Sequence, residues 1–189
     1  KSLNTYAGPL GIGVFSSINS IIMLFFMPIF GINQGSQPII GFFYGAKNYA
    51  KVKRTYVLAA ISATVLCTLG FLACQFAPAA MLSIFNTDEE FLKLGVDGMR
   101  IFTAVLPIVG FQIISSNFFQ AIGKASTAMF LSLSRQVIML IPFILILPGI
   151  YGLKGIWMST PIADFLSSVL TVFFIIKVFR DLGKLEQLQ

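Results

Sequence analysis

Long apolar runs without charge alternate with short charged clusters along the chain. A transmembrane helix needs roughly 20 consecutive, mostly apolar residues. Five segments meet that requirement, at approximately residues 7–30, 56–79, 101–122, 126–148 and 155–176. The uncharged run of the first segment continues to residue 46, which indicates a helix that extends past the membrane surface. The pattern therefore predicts an all-α polytopic membrane protein with five transmembrane helices.

Prolines and glycines occur in these spans at positions where a helix would bend or pack closely. Sharp kinks arise chiefly at proline, so Pro28 and Pro38 in the first span and Pro107 in the third are predicted kinks. Glycines at four-residue spacing let a second helix approach closely. The first span carries two such pairs, Gly31 with Gly35 and Gly41 with Gly45.

Polar side chains inside the spans indicate which helix faces point away from lipid, because exposing them to hydrocarbon is costly. Gln34 and Gln37 are three residues apart and therefore share one face of the first span. The candidates for lining a substrate cleft on the first and third spans are Met27, Gln34, Gln37, Gln112, Asn117 and Gln120. Two interpretations stay open: these residues border a cleft, or they only hydrogen-bond to neighbouring helices.

Arg135 and Asp164 are the charged residues inside the predicted spans, in the fourth and the fifth. With a rise of about 1.5 Å per residue, both side chains come to nearly the same depth of the bilayer. The loop between the two spans is short, so the helices are expected to be antiparallel neighbours. We expect an ion pair that fixes helix packing. The alternatives are a role in ion coupling, or an arginine that extends alone towards the interface.

Lysine and arginine are distributed unequally between the two sides of the five predicted spans, and cytoplasmic loops carry the excess of these residues. One side has eight of them: Lys47, Lys51, Lys53, Arg54, Lys124, Lys177, Arg180 and Lys184. The other side has four: Lys1, Lys93, Arg100 and Lys154. The carboxyl terminus is therefore expected in the cytoplasm. The acidic stretch "NTDEEF" is expected outside, with Thr87 as N-cap and Glu90 as its capping-box partner.

Composition supports the membrane class and disfavours others. Of the 189 residues, 57% are hydrophobic and 11% charged, too few polar residues for a water-soluble domain of this length. Histidine is absent, which removes His-based catalytic triads and His-ligated metal sites, and no other motif suggests an enzyme, a metal site or a cofactor. The net charge of +6 follows the membrane boundaries and forms no basic stripe for nucleic acid. Because Met does not open the sequence, we expect a fragment.

Several motifs, in this order and spacing, resemble the carboxyl-terminal lobe of the multidrug and toxic compound extrusion (MATE) transporters, nearest the bacterial MepA-like subgroup. The motifs are "MPIFGINQGSQPIIGFFYGAKN", the basic "KVKR", "LSIFNTDEE", "SSNFFQAIGKA", "SLSRQVIMLIP" and "GLKGIWMSTPIADFLSS". The resemblance covers nearly the whole chain. No single motif is specific, but their combination is.

The resemblance implies twelve helices in two six-helix lobes, with substrate held in the cleft between the lobes and exported by alternating access. The chain, residues 1–189, would be most of the carboxyl-terminal lobe, without the amino-terminal lobe and the seventh helix. Gln34 and Gln37 would lie on the family's eighth helix and Gln112, Asn117 and Gln120 on its tenth, both beside the central cleft. Five helices cannot form a complete translocation path, so the amino-terminal lobe is an expected partner.

By the same resemblance, entry of Na⁺ or H⁺ drives the export of small organic, often cationic, drugs from a bacterial cytoplasmic (inner) membrane, which confers antibiotic resistance. Some sodium-coupled members use an acidic residue of the tenth helix. Residues 101–122 contain no Asp or Glu, so that type of cation site is not expected here.

The alternatives to a multidrug exporter are a flippase for lipid-linked oligosaccharides or polysaccharide precursors from the same superfamily, and a membrane scaffold that transports nothing.

Overall fold

The computed structural model describes residues 2–187, and almost all of them are helical. The helices are α1 Ser2–Gly45, α2 Tyr49–Phe76, α3 Pro78–Leu82, α4 Glu89–Phe102, α5 Leu106–Ala121, α6 Ala125–Leu133, a π-helical segment Ser134–Leu140, α7 Ile141–Tyr151 and α8 Leu153–Gln187. α6, the π segment and α7 follow one another without interruption and form one rod.

Four helices are long and apolar enough to cross a membrane: Gly8–Gly45, Tyr49–Phe76, Ala125–Tyr151 and Lys154–Gln187. α4 and α5 together form a fifth candidate span, bent by 50° at a short break. The predicted all-α membrane fold with five transmembrane helices is confirmed, with one span broken.

The break in the third span corrects the predicted helix at residues 101–122. α4 ends at Phe102, residues 103–105 are not helical, and α5 begins at Leu106. Pro107 therefore lies in the first turn of a new helix rather than in the middle of a bent one. Proline suits this position, since the first turn has no use for its missing N–H and its φ is already helical.

α1 continues through both of its predicted kinks. Pro28 and Pro38 lie inside the helix, and the interruption of its backbone geometry is at Gly8, with φ 58° and ψ −163°. Glycine tolerates such angles because it has no Cβ, and Pro9 then restarts the helix. Bends at Pro28 and Pro38 stay predictions.

Several close helix contacts use glycines outside the predicted pairs. A Cβ at Gly110 of α5 would lie 2.7 Å from the carbonyl oxygen of Ala63 in α2. At Gly98 of α4 it would lie 2.8 Å from the ring of Trp157 in α8. Within the described residues, a Cβ at Gly31, Gly35 or Gly45 would meet nothing within 4 Å, and one at Gly41 would meet the carbonyl oxygen of Ala121 at 3.4 Å.

α4 begins one residue later than the predicted capping box requires. Asp88 is the N-cap, and its side chain accepts a hydrogen bond from the backbone N–H of Glu90. Asn86 in turn accepts from the N–H of Asp88 at 3.0 Å. The prediction of Thr87 as N-cap is therefore wrong, because the neighbouring aspartate provides the stronger acceptor.

Candidate functional site

A polar cleft of about 170 Å³ lies between α5, the rod made of α6 and the π segment, and α8. Its lining comprises Gln112, Ile113, Ser116, Asn117, Gln120, Leu131, Ser132, Arg135, Gln136 and Thr171. Seven of these ten side chains end in an amide or a hydroxyl, and one is a guanidinium. A wall this polar is unusual inside a bundle whose exposed surface is largely apolar.

α5 supplies half of the lining because its polar residues recur on one helix face. Gln112 is the deepest, with 5% of its surface exposed. Its Nε2 donates a hydrogen bond to Oγ of Ser167 in α8. Its Oε1 is buried and has no partner among the described residues. A buried amide oxygen without a partner is costly, so Gln112 is a locally unsatisfied point in the wall of the cleft.

Two further α5 side chains have local partners. Asn117, which lines the cleft, donates from Nδ2 to the carbonyl oxygen of Ile113 at 2.9 Å. Ser116 and Ser132 hydroxyls lie 3.1 Å apart and tie α5 to α6. Gln120 is exposed at the end of α5 nearest the α5–α6 turn. The α5 wall thus offers several amide acceptors and donors at once.

Arg135 lies in the π segment, next to the cleft, and is paired with a carboxylate. Its Nε donates to Oδ1 of Asp164 in α8 at 2.7 Å, with 30% of the arginine side chain and 7% of the aspartate side chain exposed. The π segment widens the helix at this point, and such segments occur frequently at functional sites. The guanidinium has further N–H groups beyond the one that Asp164 occupies, and it borders the cleft.

The α1 candidates lie apart from this cleft. Gln34 is exposed, Gln37 is half-buried and Met27 is 69% exposed. None of the three lines the polar cleft, whereas Gln112, Asn117 and Gln120 all do. The structure therefore brings together the three α5 candidates and adds Arg135 to them. It leaves the α1 candidates outside this cleft.

Sequence reasoning missed the polar residues that the other helices contribute. Ser132 and Gln136 are four residues apart, as are Ser167 and Thr171. Side chains four apart share a helix face, so this spacing was a usable signal in both spans. The π segment had no such signal, because nothing in "SRQVIML" distinguishes it from a regular helix.

The amides and hydroxyls that line the cleft are suited to holding hydrogen-bonding groups. No carboxylate of the described chain lines it. Among residues 2–187, no three His, Cys, Asp or Glu side chains come together in a way that could hold a metal ion. The amides and hydroxyls instead provide many weak contacts, the chemistry of a small-molecule binding wall.

The apolar spans, one of them broken, and the polar cleft between them place the chain in the class of polytopic membrane proteins. The MatE family model matches residues 2–146. The chain belongs to the MatE family.

Similar proteins agree with this assignment. The multidrug export protein MepA of Staphylococcus haemolyticus is 22% identical over 147 residues, which are 78% of this chain and 32% of that protein. A solved MATE multidrug transporter, DinF-BH in a ligand complex, is 40% identical, with a TM-score of 0.83 over 93% of this chain and 39% of that one. A MATE crystal structure with MaL6 gives a TM-score of 0.89 at 22% identity, over 97% of this chain and 42% of that one.

The chain thus spans about a third of the length of the MepA protein that it matches and about two fifths of the solved transporters. This coverage corresponds to one lobe of the two-lobed fold.

Proposed function

We propose that this chain is most of the carboxyl-terminal lobe of a secondary active multidrug exporter, which works with an amino-terminal lobe by alternating access in a bacterial cytoplasmic membrane. The observation that carries the proposal is the 40% identity, over 93% of the chain, with a solved MATE multidrug transporter in a ligand complex. At that identity, similar lining chemistry is expected of the two lobes as well as a similar fold.

The polar cleft supports the proposal. Its seven amide and hydroxyl side chains are distributed over α5, the α6–π rod and α8. Weak, dispersed hydrogen-bonding groups accept many ligands without demanding one shape, as a multidrug site requires.

An ion-coupled transporter also needs a group that binds Na⁺ or H⁺. Because no described carboxylate lines the cleft, we place that group in the other lobe; Asp164, already paired with Arg135, is the weaker candidate.

Efflux from proteoliposomes tests the proposal. The full-length protein encoded by its gene is reconstituted, the vesicles are loaded with a fluorescent cationic dye, and a Na⁺ gradient, a proton gradient or no gradient is imposed. We expect efflux under one of the gradients and none without, and that gradient names the coupling ion. Folded protein that moves neither this dye nor a second cationic dye of different shape under any gradient would reject the proposal and favour the flippase or scaffold alternatives.

A further inference from the structure

Four basic side chains surround two adjacent hollows at one end of α8. The first hollow, of about 100 Å³, lies between α8 and the start of α6 and includes Lys124, Lys177 and Asp181 in its lining. The second, of about 190 Å³, lies along α8 and includes Lys177, Arg180, Asp181 and Lys184. Lys177 and Asp181 line both hollows. We use the name "basic end of α8" for Lys177, Arg180 and Lys184 of α8 together with Lys124, which lies at the start of α6.

The basic end of α8 carries charge that the described chain does not neutralise. Asp181 is the single carboxylate among the residues lining the two hollows, against four cations. Among residues 2–187, none of these four cations has a carboxylate oxygen within 4.0 Å, while Lys53 nearby pairs with Glu186 at 2.9 Å. A local excess of positive charge with free N–H donors attracts anionic groups, phosphate above all.

An outward-facing apolar surface adjoins the cations directly. Phe173 is 67% exposed and Ile176 47% exposed, and both line the second hollow beside Lys177 and Arg180. The same face of α8 continues away from the cations through exposed Phe165, Val169 and Val172. No charge occurs between Phe165 and Ile176. A molecule in the second hollow would therefore meet cations at one end and an exposed apolar surface at the other.

We propose that the basic end of α8 binds the headgroup of an anionic phospholipid, with the acyl chains along Phe173 and Ile176. Basic pockets beside transmembrane helices recognise anionic lipid headgroups by this combination of charge and apolar surface. The bias of cations towards cytoplasmic loops accounts for their number on one side of the membrane, but it does not require four of them around two joined hollows. This inference does not depend on the proposed transport function.

Lipid titration of the full-length protein tests the proposal directly. Detergent-purified protein is titrated with phosphatidylglycerol, with phosphatidylcholine, and with soluble glycerol phosphate, and bound lipid is counted by native mass spectrometry. We expect one or two phosphatidylglycerol molecules to be retained, in preference to phosphatidylcholine, and no effect of glycerol phosphate. Equal retention of both lipids would overturn the proposal. Displacement of phosphatidylglycerol by glycerol phosphate at equal concentration would also overturn it, since the apolar surface would then contribute nothing.

A matched pair of variants locates the site. Lys177→Gln/Arg180→Gln removes two cations from the basic end of α8, and Lys47→Gln/Lys51→Gln removes two from the α1–α2 junction, predicted on the same side of the membrane. Each basic residue near an anionic surface contributes roughly a fivefold preference, so the first variant should bind phosphatidylglycerol about 30-fold more weakly. The second should bind it as the unaltered protein does. Equal weakening in both would show diffuse attraction and reject a site.

Charge-conserving substitutions separate binding from folding. Lys177→Arg/Arg180→Lys keeps both charges, and we expect it to retain the phosphatidylglycerol preference. Should Lys177→Gln/Arg180→Gln fail to fold, the unaltered protein and this conservative variant still decide the question, because loss of lipid preference in either would contradict the proposal.

Discussion

Nε of Arg135 lies 2.7 Å from Oδ1 of Asp164, and this hydrogen-bonded ion pair joins the π segment to α8. The two residues are 29 positions apart in the sequence. Asp164 is the more buried partner, with 7% of its side chain exposed against 30% for Arg135. Within the described chain, each charge would lack a charged partner without the other. The pair therefore ties the fourth and fifth spans together at the depth of the polar cleft.

Exchanging the two charges should restore the amount of folded protein that either single charge reversal reduces. Arg135→Asp places two carboxylates together, and Asp164→Arg places two guanidinium groups together. Breaking a buried pair costs roughly 3–5 kcal/mol, and we expect the lower part of that range because Arg135 is partly exposed. Both single variants should therefore accumulate poorly in the membrane, and Arg135→Asp/Asp164→Arg should recover. Fluorescence-detected gel filtration of solubilised membranes measures the amount of folded protein.

The control for this exchange is Lys154→Glu, which reverses an exposed charge near the start of α8. It should leave the amount of folded protein unchanged. A double variant no better folded than the worse single one would show that the contact does not stabilise the helix pair.

The sequence was sufficient to predict four of the five spans as single helices and the contact between Arg135 and Asp164, because both follow from local quantities. Twenty apolar residues span a bilayer whatever their neighbours are, and the rise per residue fixes how deep Arg135 and Asp164 lie. The face of α5 that carries Gln112, Asn117 and Gln120 followed from helical spacing for the same reason. These predictions needed no knowledge of how the helices pack.

The features that were missed depend on competition between alternatives or on tertiary packing. The π segment and the break at residues 103–105 depart from regular α-helical hydrogen bonding, and no residue type at these positions predicts the departure. At the start of α4, Thr87 and Asp88 are both good caps, and the structure uses Asp88, whose carboxylate is the stronger acceptor. The glycines that pack closely, Gly98 and Gly110, could be separated from Gly31 and Gly35 only once the neighbours were known.

Gly110→Ala should destabilise the contact between α2 and α5. The added Cβ would lie 2.7 Å from the carbonyl oxygen of Ala63 and 2.9 Å from Sγ of Cys67. Backbone cannot move aside as a flexible side chain can, so the helices must separate, at a cost of roughly 1–3 kcal/mol. The melting midpoint of the full-length protein in detergent measures this loss.

Gly149→Ala in α7 is the matched control for Gly110→Ala. A Cβ at Gly149 would meet nothing within 4 Å among the described residues, and alanine favours the helix. Its melting midpoint should equal or slightly exceed that of the unaltered protein. A Gly110→Ala midpoint indistinguishable from that of Gly149→Ala would show that α2 and α5 are not packed as closely as described.

The predicted orientation can be tested by labelling single introduced cysteines with a maleimide that does not cross membranes. The native Cys67 and Cys74 are free and fully buried, so they should stay unlabelled and need not be replaced. Leu185→Cys, near the end of α8, should be labelled in inside-out vesicles and not in intact cells, and Asp88→Cys should show the opposite pattern. The reverse result for both would place the carboxyl terminus outside and contradict the orientation drawn from lysine and arginine.

Two double variants distinguish the amides that bind substrate from those that only support the fold. Gln120 and Gln136 line the cleft, are exposed, and make no side-chain hydrogen bond to another described residue. Gln120→Ala/Gln136→Ala should therefore change the melting midpoint little. If each amide gives substrate one hydrogen bond of about 1 kcal/mol, efflux of the cationic dye should fall by roughly 30-fold.

Gln34→Ala/Gln37→Ala tests the α1 face in the same assay. The described chain leaves these two amides outside the polar cleft, with Gln34 exposed and Gln37 half-buried. If that face borders the substrate path between the lobes, efflux falls while the melting midpoint stays constant. If it packs against the other lobe, the melting midpoint falls and efflux per folded molecule does not. We expect the first result. The second would assign Gln34 and Gln37 to helix packing and leave substrate binding in this lobe to the α5 cleft.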